Sequence, residues 1–142
     1  LIAWRAYHRG VYPDATRARF RAAIGAGRVV RVGTYGNPSS VPDHVWTDLL
    51  KDCTSWTAYN HGEPWRPDLA MQSVDSYAEA RKAWDRGHRT FRVLSDLSEL
   101  DKKNEVLCPA SKEAGRRTTC AKCLLCSGTS TKSPKSVAIP MH

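Results

Sequence analysis

Four of the five cysteines fall within nineteen residues, and this cluster limits the possible folds more than any other feature of the sequence. Cys108, Cys120, Cys123 and Cys126 have the spacing C-x11-C-x2-C-x2-C. Three thiols at successive intervals of three residues can surround one centre within a tight loop, and the fourth reaches it from outside that loop. Because the N-terminus does not resemble a secretory signal, this clustering favours metal ligands over disulfides. The sequence therefore predicts a metal-binding loop over residues 108–126.

The cysteine spacing leaves the identity of the metal open. A C-x2-C-x2-C run with one distant cysteine followed by proline, as in Cys108-Pro109, is typical of a [4Fe–4S] cluster. Zinc also takes four cysteines, usually from two C-x2-C pairs on separate turns. We expect the cluster, with zinc as the alternative. Neither group would leave an open coordination position, so a structural or redox role is expected.

Short β-rich segments alternate with amphipathic helices along the chain, which predicts α/β architecture with a largely parallel sheet. Whether the sheet is a partial barrel or open is left undecided. Length predicts one domain over residues 1–142, with a flexible basic stretch at 127–135 after the cysteine loop. Cys53 is predicted to be a small core residue of the helix that starts near Asp43. The predicted strands are 28–32, 57–59, 69–74, 89–94, 105–107 and 137–139.

The formal net charge of +8 is unevenly distributed. Residues 1–36 carry a net charge of +6 and residues 112–135 carry +5, around a mildly acidic centre. Such flanks suit nucleic acid or another polyanion, because each neutralised phosphate releases counterions. The alternative is a solvated basic surface that aids solubility. The candidate phosphate-binding residues in and after the cysteine loop are Arg116, Arg117, Lys122, Lys132 and Lys135.

Polar residues follow several of the predicted strands. In a parallel sheet the carboxyl ends of the strands meet at one edge, so Tyr35, His61, Asp75 and Cys108 are expected to lie near one another. His61 and Asp75 are the candidate acid and base of an enzyme at that edge, although no motif supports either. The longest apolar run is too short to span a bilayer, so no membrane segment is expected.

Several segments resemble a family of uncharacterised cysteine-rich proteins encoded by phages and plasmids. They are RVGTYGNP (31–38), YNH (59–61), SVDS (73–76), RTFRV (89–93) and the cysteine loop, within residues 28–140. Members of that family carry a further cysteine-rich segment upstream of the equivalent of Trp4. The resemblance implies that this segment, with a second metal site, belongs to a missing N-terminal part or a partner protein. It also implies a location in the cytoplasm of a bacterial host.

The strand order and the cysteine loop are also remotely similar to radical-SAM-type partial barrels with an auxiliary iron–sulfur site. That similarity implies, as a further alternative, a fragment of a radical-SAM-like enzyme. The C-x3-C-x2-C loop that activates S-adenosylmethionine in that superfamily is absent from this sequence. Radical chemistry by this chain alone is therefore not expected.

Overall fold

A computed structural model of the 142-residue chain describes residues 2–12, 15–34, 36–129 and 133–141. Six strands in these ranges form one open sheet, in which every neighbouring pair is parallel. The spatial order is β1-β2-β3-β4-β6-β5. The strands are β1 (Val29–Val32), β2 (Ser55–Asn60), β3 (Met71–Val74), β4 (Thr90–Leu94), β5 (Glu105–Leu107) and β6 (Ser136–Pro140).

Helices provide two of the connections between neighbouring strands. The helix α3 joins β1 to β2, and α4 joins β3 to β4. The prediction of a largely parallel α/β fold is confirmed, and the sheet is open. None of the helices in the described part of the chain is long and apolar enough to cross a bilayer. The helices are α1 (Ile2–His8), α2 (Ala18–Gly25), α3 (Asp43–Leu50), α4 (Tyr77–Asp85) and the single turn α5 (Cys120–Cys123).

The last connection of the sheet runs in the opposite sense from the earlier ones. Strand β6 lies between β4 and β5, so the chain moves back across the sheet after β5. Parallel crossovers are right-handed, and a reversed direction of travel places the connection on the opposite face. The β5–β6 connection, which contains the cysteine loop, therefore covers the face that α3 and α4 leave open.

Each face of the sheet has its own apolar cluster, because successive side chains of a strand point to opposite sides. On the helical face, Val32 and Ala58 pack with Trp46 of α3. On the other face, Met71 and Val137 pack with Cys126 of the cysteine loop. The sheet is thus a middle layer, and the cysteine loop provides part of one of its two cores.

Local sequence signals determine where the helices begin and end. Ser76 and Glu79 form a reciprocal capping box at the start of α4. Gly87 follows the end of that helix with φ +79°, a conformation that favours glycine. The prediction for Cys53 is wrong, because α3 ends at Leu50 and the chain must turn into β2 at Ser55. Cys53 is therefore a half-buried turn residue outside the two core clusters.

A buried ion pair crosses the sheet on its helical face. The Arg92 guanidinium on β4 donates to both carboxylate oxygens of Glu105 on β5, at 2.8 and 2.7 Å. The two side chains are 3% and 0% exposed. Strand β6 lies between them, and it places Ala138 next to Arg92 in the register. The small side chain of Ala138 leaves room for the arginine to reach across.

Replacing Glu105 with glutamine should destabilise the fold strongly, because Arg92 would lose its buried counter-charge. We expect the free energy of unfolding to fall by about 3 kcal/mol, measured by urea denaturation. The matched control is Asp85→Asn, which neutralises an exposed carboxylate and should change stability by at most about 0.5 kcal/mol. Equal effects of the two substitutions would contradict this role for the ion pair.

Candidate metal centre

All four clustered cysteines line one small cavity under the β5–β6 connection. Its volume is about 20 Å³. The sheet contributes Thr57, Tyr59 and Val137 to the lining, and the loop contributes Leu124 and Leu125. The walls around the thiols are therefore largely apolar. The structure brings together the residues that the sequence predicts as one ligand set, Cys108, Cys120, Cys123 and Cys126.

Two of the cysteines are fixed to the sheet by backbone hydrogen bonds. The amide of Cys108, directly after β5, donates to the carbonyl of Ala138 at 2.7 Å. The carbonyl of Cys126 accepts from the amide of Ala58 on β2, also at 2.7 Å. The cysteine loop is consequently attached to strands on both sides of the sheet's centre.

The other two cysteines are the first and last residues of the single turn α5. The amide of Leu124 donates to the carbonyl of Cys120 at 3.1 Å, which closes the turn. Leu124 then adopts a left-handed conformation with φ +58°. That reversal directs the chain from the half-buried Cys123 back to the buried Cys126.

The four thiols line one cavity, but they do not form a ready-made ligand set. Among the described residues, no three His, Cys, Asp or Glu side chains are arranged so that they could hold a metal ion. Cys120 is exposed, while Cys126 is buried. Binding a metal at this cavity would therefore require the thiols to rearrange.

The environment of Cys126 favours the protonated thiol. Burial raises the pKa of Cys126 to about 11, and the nearby cysteines act in the same direction. A hydrogen bond with the Tyr59 hydroxyl opposes this rise in the pKa of Cys126. Burial also raises the pKa of Cys108. A metal bound here must displace protons from these two thiols, since the thiolate is the ligand.

Tyr59 also belongs to the candidate site, because it lines the cavity and contacts Cys126, although the cysteine spacing gives no sign of it. Burial raises the pKa of its hydroxyl, so the group stays protonated and can donate to the sulfur of Cys126. The Tyr59 ring packs against Phe91 with its centroid 4.7 Å away, and the Arg31 guanidinium lies 5.6 Å from the ring centroid. These contacts fix the hydroxyl beside the cavity.

The predicted phosphate-binding residues fall into three groups. Arg116, Arg117 and Lys122 are exposed, before and within α5. Lys135 is half-buried, and its ammonium donates to the carbonyl of Lys102 at 2.7 Å. Lys132 lies outside the described residues. Three of the five residues thus present cations on the surface of the cysteine loop.

The predicted acid and base lie in a different place from the cysteines. His61 and Asp75 both line a groove of about 420 Å³, together with Gln72 and His88. Gln72 points to the helical face, because its neighbour Met71 lies in the core beneath the cysteine loop. Cys108 is therefore separated from this groove by the sheet, contrary to the expected convergence. Tyr35 lies outside the described residues.

Comparison with protein-family models, curated proteins and solved structures found no match. The resemblance to phage- and plasmid-encoded proteins therefore stays a prediction. The fold and the candidate site define an open parallel α/β protein in which four cysteines line one cavity.

In the metal-free protein, the cysteines should differ widely in their reactivity toward iodoacetamide. Cys120 is exposed, whereas Cys126 is buried with its pKa raised to about 11, so Cys120 should be alkylated first. Mass spectrometry of the digested protein after timed labelling measures the two rates. Unfolding in urea should remove the difference. Equal rates in the folded protein would contradict the described environment of Cys126.

Proposed function

We propose that this protein binds a metal centre through Cys108, Cys120, Cys123 and Cys126, in a structural or redox role. The observation that carries the proposal is that Cys108, at the end of a strand, lines the same cavity as the three closely spaced cysteines of the loop. Four thiolates form a soft donor set, which selects zinc or an iron–sulfur cluster over hard cations such as magnesium.

The surroundings of the thiols favour a closed site. The leucines at 124 and 125 line the cavity beside them, and a four-cysteine centre has no free position for a substrate. A bound metal would connect the end of β5 with α5 and, through Cys126, with β2, whose Ala58 amide donates to the Cys126 carbonyl. Such a link supports a role in holding the loop on the sheet.

Two observations favour different metals. A cavity of about 20 Å³ has room for about one water-sized sphere, which suits a single zinc ion. The C-x2-C-x2-C run with a distant Cys-Pro suits a [4Fe–4S] cluster, which would require the loop to move outward. Metal analysis of protein purified without oxygen, together with its visible spectrum, distinguishes the two. One zinc per chain without colour indicates the first, and a brown protein with about four irons indicates the second.

Replacing Cys108 with serine should abolish stoichiometric metal retention, because three thiolates no longer close the site. The matched control is Cys53→Ser, which alters a half-buried cysteine that does not line the cavity. It should retain the metal content of the unmodified protein. Elemental analysis after gel filtration measures both variants. Equal metal loss in both variants, or none in either, would contradict the proposed ligand set.

The exposed cations of the cysteine loop support nucleic-acid binding as a second candidate function. Arg116, Arg117 and Lys122 project from the same short segment, and none contributes to the sheet. A metal-stabilised loop could thus present them to phosphates. This function is compatible with the first.

Replacing these three cations with alanine should weaken binding to single- or double-stranded DNA or RNA, and should reduce the slope of log K against log salt by about 2 to 3. Filter binding between about 50 and 200 mM salt measures the slope. The control removes an equal charge from other exposed positions, Lys51, Arg81 and Lys82. No binding by the unmodified protein at low salt, or equal loss in both triple variants, would contradict the loop interface.

A further inference from the structure

Arg89 is a buried cation whose side-chain hydrogen bonds all lead to the β5–β6 connection. It directly precedes β4 and is only 5% exposed. Its Nη1 donates to the carbonyls of Leu125 at 2.8 Å and Gly128 at 2.6 Å. Its Nε donates to the carbonyl of Lys135 at 2.9 Å. The guanidinium thus contacts the β5–β6 connection on both sides of Cys126, the last cysteine, and again just before β6.

The described residues provide Arg89 with no carboxylate partner. The two other buried arginines are paired, Arg92 with Glu105 and Arg21 with Asp48. Arginine stays charged in proteins, and a buried charge without a counter-charge is strongly unfavourable. Carbonyl oxygens satisfy the N–H groups of Arg89 but supply no net negative charge. The described environment of Arg89 therefore lacks a counter-charge for its guanidinium.

The group that can supply this charge is the cysteine cluster. The Leu125 carbonyl that Arg89 contacts immediately precedes Cys126. Burial lowers the pKa of Arg89, and negative charge on Cys126 acts in the opposite direction. Four thiolates with a divalent zinc ion, or with a [4Fe–4S] core of charge +2, carry a net charge of −2. A bound centre would therefore place negative charge beside the unpaired cation.

We propose that Arg89 is the buried counter-charge of the metal–thiolate centre and thereby a positioning residue for the loop that holds it. This inference rests on the proposed metal-binding function and adds a specific electrostatic partner to it. Its hydrogen bonds fix the loop whether or not metal is present. Its charge stabilises only the loaded form, because the thiols near it are neutral when protonated.

The test compares metal retention by the unmodified protein, Arg89→Gln and Arg89→Lys. Each protein is loaded with the centre that the unmodified protein retains, either zinc(II) or a reconstituted iron–sulfur cluster. Equilibrium competition with a chelator is used for zinc, and the rate of cluster loss to a chelator for iron. Arg89→Gln should weaken retention by about 10- to 100-fold, the range typical of removing an outer-shell residue of a metal site. Arg89→Lys should recover most of this loss because it keeps the charge.

A second measurement, of stability, distinguishes two roles for Arg89: neutralising the charge of the centre, and holding the loop on the sheet by hydrogen bonds. Urea unfolding of each protein is measured with and without metal. Arg89→Gln should destabilise the loaded form more than the metal-free form, whereas attachment alone would affect both equally. Arg21→Gln is the control for a buried arginine on the helical side, and it should lower stability without changing metal retention. If Arg89→Gln does not fold, Arg89→Met, which is also uncharged, replaces it.

The possible failures are distinguishable. An unmodified protein that retains neither metal nor cluster would overturn the proposed function itself. An unmodified protein that retains the centre, with unchanged retention in Arg89→Gln, would overturn only the role of Arg89. Equal losses in the glutamine and lysine variants would show that the hydrogen bonds, and not the charge, are responsible, and would also overturn it.

Discussion

The position of β6 between β4 and β5 is the constraint on which the rest of this structure depends. Because parallel crossovers are right-handed, this reversal sends the β5–β6 connection over the face opposite α3 and α4. The connection then supplies an apolar cover for that face. In doing so it brings Cys108, at the end of a strand, over the same cavity as the three cysteines near α5. The architecture of the sheet thus creates the candidate site.

The two faces of β4 show two ways of accommodating a buried cation. Arg92 reaches across Ala138 to a carboxylate on β5, so its charge is neutralised by a protein side chain. Arg89, three residues earlier and directly before β4, is surrounded by carbonyls of the β5–β6 connection. The first arrangement is complete within the chain. Under the proposed function, the thiolates of a bound metal centre would supply the counter-charge that the second arrangement lacks.

Much of the fold could be predicted from local signals in the sequence. The capping box at Ser76 and the glycine at 87 mark the limits of α4, and the β-rich segments mark the strands. The apolar periodicity of α3 continues past Leu50 to Cys53 and so predicts a longer helix than the structure has. The helix ends at Leu50 because the chain needs the residues after it to turn into β2. The order of the strands could not be predicted, because no local feature of residues 136–140 indicates that β6 pairs with β4 and β5.

The sequence predicts which cysteines form the candidate site, but it does not predict the residues that surround them. Regular spacing identifies the cysteines, but the contact of Tyr59 with Cys126 depends on which face the loop crosses. For the same reason, His61 and Asp75 share a groove that the sheet separates from Cys108. Arg89 resembles any basic residue before a strand, and only its burial and its carbonyl partners distinguish it.

X-ray absorption at the metal edge of the protein, purified without oxygen, is the most direct measurement of the central claim. For a single zinc ion, the account predicts four cysteine sulfur neighbours at about 2.3 Å. For a cluster, it predicts an all-sulfur first shell around each iron, made of one cysteine sulfur and three bridging sulfides. For iron, neighbouring iron atoms of a cluster are expected in addition. A first shell dominated by nitrogen or oxygen, or a protein that contains no stoichiometric metal, would contradict the account.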